Sequence, residues 1–183
     1  MIYIPYTGVG ARKIDPSRIP LINRIGKRLD ELGLTLRSGG AKGTDSEFER
    51  PVRRSKEIFR PADYKGRLPY GHKIITGELR ERALEIVAPT HPYWDKLQPF
   101  NKELHIRNVF QVLGENLDHP SLFLLCWTED GADGINKMTS SDTGGTGTAI
   151  RIANIYDVPV LNLNRPNAIK DLDKILRFAG IIK

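Results

Sequence analysis

The chain is short of several things that would fix a function class quickly. It has one cysteine, Cys126, among 183 residues, so an internal disulfide is impossible. Cys126 sits in the apolar run Leu122-Phe123-Leu124-Leu125-Cys126-Trp127 and reads as a buried strand residue, not a reactive thiol. A reducing compartment, the cytoplasm, is the expected location. No apolar run is long enough to cross a membrane, and Met1-Ile2-Tyr3-Ile4-Pro5 leads straight into a strand without a signal-peptide pattern, so no membrane partner is expected. No glycine loop ends in Gly-Lys-Ser/Thr, which excludes a P-loop. Gly8-Val9-Gly10 lacks a third glycine at dinucleotide spacing, and no ribose-binding acid closes strand two, which excludes an ordinary NAD site. The acids Glu129, Asp130, Asp133 and Asp142 miss the spacing of a calcium loop, and no His/Cys cluster suggests zinc. Neither a metal nor another cofactor is expected. No repeat, low-complexity tract or linker divides the chain, so residues 1–183 read as a single Rossmann-like domain.

What is present is glycine in three places. Thr7-Gly8-Val9-Gly10, Ser38-Gly39-Gly40-Ala41-Lys42-Gly43-Thr44-Asp45 and Thr143-Gly144-Gly145-Thr146-Gly147-Thr148 each stand between a strand-like run and a helix-like run. Glycine lets backbone N–H groups approach an anion, and a helix start adds partial positive charge. The 28 Lys+Arg against 22 Asp+Glu give a net charge of +6, which favours an anionic partner but also suits plain solubility.

Strand and helix signals alternate. Strands are expected at 2–6, 34–37, 56–59, 122–127 and 158–163, with the first glycine pair turning the chain after the first strand. Helices are expected from Pro16 to about Leu32, from Gly43 to about Arg54, and from Glu78 to about Val87. Further helices should run from about Phe100 to Leu113, from Gly145 to Tyr156, and from Ala168 to Phe178 behind an Asn167 cap. This rhythm predicts an α/β fold: a three-layer Rossmann-like parallel sheet with helices on both faces and its ligand at the carboxyl ends of the strands. The polar stretches 61–77 and 128–142 are candidate lids.

The candidate phosphate and nucleotide ligands are Gly8, Gly10, Arg12, Ser38, Gly39, Gly40, Lys42, Asn108, Thr143, Gly144, Gly145, Thr146, Gly147 and Thr148. Hydroxyls of Thr146 and Thr148 are expected around the phosphate. Asp45 and Arg107 are the catalytic candidates, Asp45 as an acid or ribose ligand and Arg107 as a phosphate clamp. Each has a plainer reading: Asp45 as a first-turn acid complementing a helix dipole, Arg107 as part of a charged helix face. Glu49, at i+4 from Asp45, reads as solvated surface, His105 as a packed imidazole, and Trp127 as core or as a base-stacking platform.

Taken together, Thr7–Arg12, Ser38–Asp45, Arg107-Asn108 and Gly144–Gly147 resemble the SLOG superfamily of Rossmann-like proteins, in particular the small DprA-like proteins of bacteriophages and bacteria. The resemblance extends over nearly the whole chain and implies a nucleotide or nucleic-acid phosphate site. If phage-encoded, the protein would work in the host cytoplasm. Two relatives point in different directions. Lonely Guy enzymes hydrolyse the N-glycosidic bond of nucleoside 5′-monophosphates, with a Pro-Gly-Gly-x-Gly-Thr-x-x-Glu motif and an upstream Arg-Lys pair. Here Thr143 stands for the proline, Arg151 for the glutamate and Asn108 for the lysine. The DprA (DNA-processing protein A) relatives bind single-stranded DNA without such chemistry. The first implies a nucleotide-processing N-glycosidase, the second a strand binder using Arg12, Lys13, Lys65, Arg67 and Lys73 along a basic groove. A homo-oligomer fits either.

Overall fold

The computed structural model describes residues 3–61 and 64–183. Six strands form one parallel sheet in the order β4-β3-β2-β1-β5-β6. They are β1 (Pro5–Gly10), β2 (Thr35–Ser38), β3 (Lys56–Arg60), β4 (His72–Ile74), β5 (Leu124–Trp127) and β6 (Val160–Asn162). The helices are α1 (Ile19–Glu31), α2 (Thr44–Glu49), α3 (Gly77–Val87), α4 (Pro99–Leu113), α5 (Thr146–Ile155) and α6 (Ala168–Phe178).

Alternation along the strands sorts the core into two layers. Phe123, just before β5, and Leu125 and Trp127 within it face a cluster closed by α1, α2 and α6; Leu124 and Cys126 face one closed by α3, α4 and α5. The result is the expected three-layer α/β Rossmann-like architecture. Trp127 is 5% exposed inside the first cluster, so it is a core residue and not a stacking platform. Cys126 is fully buried, and burial pushes its thiol pKa up. Among the described residues no helix is long and apolar enough to cross a membrane.

Several boundaries differ from expectation. Ile2 of the first expected strand lies outside the described residues, and Gly8 and Gly10, expected to form a turn, lie within β1. A Cβ at Gly8 would stand 2.8 Å from Leu36 Cδ1 and 2.9 Å from Phe48 Cγ. One at Gly10 would stand 2.5 Å from the Trp127 carbonyl oxygen and 2.7 Å from Thr44 Cβ. The missing side chains let α2 lie directly on the strand. α2 stops at Glu49, before Pro51, and not at Arg54. Asn167 does precede α6, but its side chain makes no capping bond. The 61–77 stretch, of which 62 and 63 lie outside the described residues, contains the edge strand β4. The 128–142 stretch is tied internally: the Asp133 carboxylate accepts from the amides of Ile135 (3.0 Å), Asn136 (2.7 Å) and Lys137 (3.0 Å).

The strand order reverses between β1 and β5: one connection from β1 leads outward to β2, while β5 lies on its other side. A crevice therefore opens beyond their carboxyl ends, where loops diverge to opposite faces.

Candidate functional site

A cavity of about 390 Å³ occupies that crevice, within the usual size range of small-molecule sites. Its walls come from four parts of the chain: Val9–Arg12 at the end of β1, Ala41 and Asp45 at the start of α2, one face of α4, and Asp142–Thr146 before α5. Of the sequence candidates it gathers Gly10, Arg12, Asp45, Arg107, Asn108, Thr143, Gly144, Gly145 and Thr146.

The loop into α5 is the open wall. Gly144 (φ +62°) and Gly145 are exposed, and a Cβ on either would meet nothing within 4 Å. No side chain caps α5; the Gly147 and Thr148 amides donate to the Gly144 and Gly145 carbonyls at 3.1 and 3.3 Å, which leaves the Gly145 and Thr146 amides at its positive end without an acceptor among the described residues. Asn108 Nδ2 donates to the Gly145 carbonyl oxygen at 3.1 Å, fixing this loop to α4. Thr146 lines the cavity. Thr143 does too, but its hydroxyl is taken, donating to Asp130 Oδ2 at 2.5 Å and accepting from the Ser140 amide at 2.9 Å.

The α4 wall carries polar atoms with their bonding unmade. Arg107 is 8% exposed; its Nη1 donates to the Gly39 carbonyl oxygen at 3.1 Å, and its Nε has no partner. Gln111 is 1% exposed, and neither its Oε1 nor its Nε2 is bonded. His105 Nδ1 is likewise unpartnered. Each such buried group costs about 1–3 kcal/mol when left unmet, and native interiors hold few of them. Three such residues on one cavity wall mark a place prepared for polar company. Burial lowers the Arg107 pKa, Asp45 opposes that, and the charges of Arg60 and Arg12 add to it. Burial, with His91, Arg151 and Arg107 nearby, lowers the His105 pKa to about 4, so this imidazole is neutral at pH 7.

Asp45 does something the sequence did not suggest. Its Oδ1 accepts from the Gly10 amide at 3.0 Å and its Oδ2 from the Ala41 amide at 3.4 Å, with the Gly39 amide also contributing. The amides of the first two glycine segments thus converge on the protein's own carboxylate. Burial raises the Asp45 pKa, opposed by Arg107 and by these amides. Asp45 clasps β1 to the β2–α2 turn. Among the described residues no carboxylate takes the amides of the third glycine turn in this way.

The remaining candidates fall outside the cavity. Gly8 is packed under Phe48. Ser38 Oγ donates to the Gly8 carbonyl oxygen at 2.6 Å in full burial, so it is not available to a phosphate. Gly39 and Gly40 turn their carbonyls toward Arg107 and Arg60. Gly147 is buried behind the loop, and Thr148 Oγ1 accepts from Arg151 Nη2 at 3.0 Å, which corrects the expected hydroxyl pair. Arg151 also donates to Thr139 Oγ1 at 2.8 Å. Lys42 lines a neighbouring cleft with Arg12, Lys13 and Arg50, and Arg12 is shared with the main cavity. This cleft replaces the basic groove expected from sequence: Lys73 is bound to Glu57 at 3.1 Å and to Glu115, and Lys65 and Arg67 stand on the segment before β4. Glu49 is no free surface acid either, since it accepts from Lys56 at 2.8 Å.

No family model matches the sequence, and no curated protein matches it. Among solved structures, the chain is similar to DNA processing protein A from Helicobacter pylori, a single-stranded DNA-binding protein. The TM-score is 0.57 at 14% identity, over 98% of this chain and 74% of that one. At that identity the likeness concerns the fold.

Proposed function

We propose that this protein binds single-stranded nucleic acid, seating one phosphate-bearing nucleotide in the cavity between β1 and β5. The observation that carries this reading is the meeting of two unsatisfied elements there: the uncapped, side-chain-free start of α5 and the buried Arg107 cation, which forms no ion pair among the described residues. A phosphate between them would accept from main-chain amides and from a guanidinium, charge-assisted bonds stronger than neutral ones. The adjoining cleft offers the cations of Arg12, Lys13 and Lys42 to the next phosphates of a strand, while its Arg50 is paired with Glu47 at 2.7 Å. The fold likeness to a protein that binds single-stranded DNA favours a strand over a free mononucleotide.

The hydrolytic reading draws less support. A glycosidase needs a carboxyl group free to act at the sugar. Both oxygens of Asp45 are engaged by amides, and Arg151 stands where the Lonely Guy glutamate would be.

The test is anisotropy titration of a labelled oligo-dT over a salt series. A strand spanning cavity and cleft should lose affinity steeply, with a log–log slope of about −0.7 per phosphate contacted. A shallow slope with equal affinity for a mononucleotide would restrict the ligand to the cavity and reject the strand. No binding at low salt would reject the proposal.

A further inference from the structure

Outside the cavity, a chain of side chains runs from α2 to the Gly39–Gly40 turn. Glu49 Oε1 lies 2.9 Å from His72 Nε2. On the other side of the ring, Arg60 Nε donates to His72 Nδ1 at 3.0 Å. Arg60 Nη1 in turn donates to the Gly40 carbonyl oxygen at 2.9 Å and, more weakly, to that of Gly39 at 3.4 Å. The Gly39 carbonyl is the same one that Arg107 holds from the cavity side.

This geometry dictates the tautomer. An arginine Nε–H only donates, so His72 Nδ1 must be unprotonated, and the ring proton sits on Nε2, where Glu49 accepts it. The imidazole is 2% exposed and cannot borrow water for either role. Gly40, at φ +59°, lies so close under Arg60 that a Cβ there would stand 2.6 Å from Nη2. The turn and the guanidinium are therefore fitted to each other. Facing the ring are Glu49, which also binds Lys56, from α2, and Lys56 and Arg60 from β3; the Tyr64 ring lies against Arg60, with its centroid 5.2 Å from Cζ.

We infer that His72 is a positioning residue for the cavity: with Glu49 it holds Arg60 on the Gly39–Gly40 turn that seats Arg107. Without the acceptor at Nδ1, Arg60 would leave, Gly39 and Gly40 would lose their outer tether, and Arg107 would lose the fixed carbonyl that aims it. The ligand effect rests on the strand-binding reading; the latch itself does not.

The experiment compares oligo-dT affinity for the wild type and two variants. His72→Asn places Oδ1 where Nδ1 stood, keeping the acceptor for Arg60, and is expected to bind like wild type. His72→Phe, which has no acceptor, is expected to bind about tenfold more weakly, the order of one hydrogen bond to a charged group. Equal affinities for His72→Phe and wild type would overturn the inference. The latch is read separately in the free protein by NMR. The His72 ring should be the Nε2–H tautomer, and the Gly39 and Gly40 amides should shift in His72→Phe and keep their positions in His72→Asn. If oligo-dT does not bind, the strand reading falls while those resonances still decide the latch. An Nδ1–H ring, or glycine amides indifferent to His72→Phe, overturns it.

Discussion

Replacing Gly145 by valine separates a glycine needed by the fold from a glycine needed by a ligand. Gly145 has φ −60° and ψ −23°, a conformation any residue adopts, and its Cβ would project into open space. The substitution creates no clash with the protein. It loses some N-cap preference, about 0.5–1 kcal/mol. It also restricts the unfolded chain, a gain of similar size. The two nearly cancel, so the melting temperature should stay within about 4 °C of wild type, the shift that ~1 kcal/mol produces at this chain length. Binding should suffer far more. The valine methyl groups would stand at the start of α5, where a phosphate takes its amide bonds. Loss of charge-assisted bonds worth about 1.5–3 kcal/mol each corresponds to roughly a hundredfold loss of oligo-dT affinity. Gly39→Ala is the opposite case, because its Cβ would stand 2.5 Å from Gln111 Nε2 and 2.6 Å from Arg107 Cζ. It should cost stability by about 1–3 kcal/mol as an overpacked site. Thermal melting and anisotropy on the same samples decide the matter. A Gly145→Val protein that melts and binds like wild type would refute the claim that the ligand lies on that loop.

Two further predictions concern buried charge. Arg37 is 2% exposed and pairs with Glu57 at 2.9 Å, so Glu57→Ala strands a buried cation and should cost about 3–5 kcal/mol in chemical denaturation. Burial works to raise the Glu57 pKa, but bonds from Tyr3, Arg37 and Lys73 lower it overall. Its contribution is therefore present above the ordinary glutamate value and lost as pH falls through the lowered one. His105 is held neutral, with its pKa near 4 against an ordinary 6.5, so the unfolded chain binds more protons between those values and stability should rise with pH across that window. His105→Gln should flatten this part of the stability curve, measured by denaturation at successive pH values; an unchanged slope would contradict it.

The layer order was legible because strand alternation and helical spacing are local signals. Leu122–Trp127 announced a strand buried on both faces, and the helical spacing of Ile19, Ile22, Ile25 and Leu29 announced the inner face of α1, of which Ile22, Ile25 and Leu29 enter the core. The edge strand β4 was missed because His72-Lys73-Ile74 is charged and short, as edges tend to be. Gly8 and Gly10 looked like a turn because glycine has the same local signature whether it frees the backbone or yields room to a neighbour. Only the approach of Phe48 and Thr44 tells the two apart. The start of α5 and Arg107 were candidates for one anion from their residue types alone, and the structure brings both to the same cavity. Asp45 was legible as important but not as a clasp, because its acceptor role depends on amides 35 and 4 residues away. Gln111 carried no signal at all: a glutamine within an apolar helix stretch becomes informative only when both amide atoms are seen buried and unbonded.

The most direct measurement is a titration of the 15N-labelled protein with a short oligo-dT, following backbone amides. The account predicts that the amides of Gly145 and Thr146 and the Arg107 side-chain Nε–H move first and furthest, saturating together. Shifts confined to other surfaces, with those three groups unmoved at saturation, would contradict it.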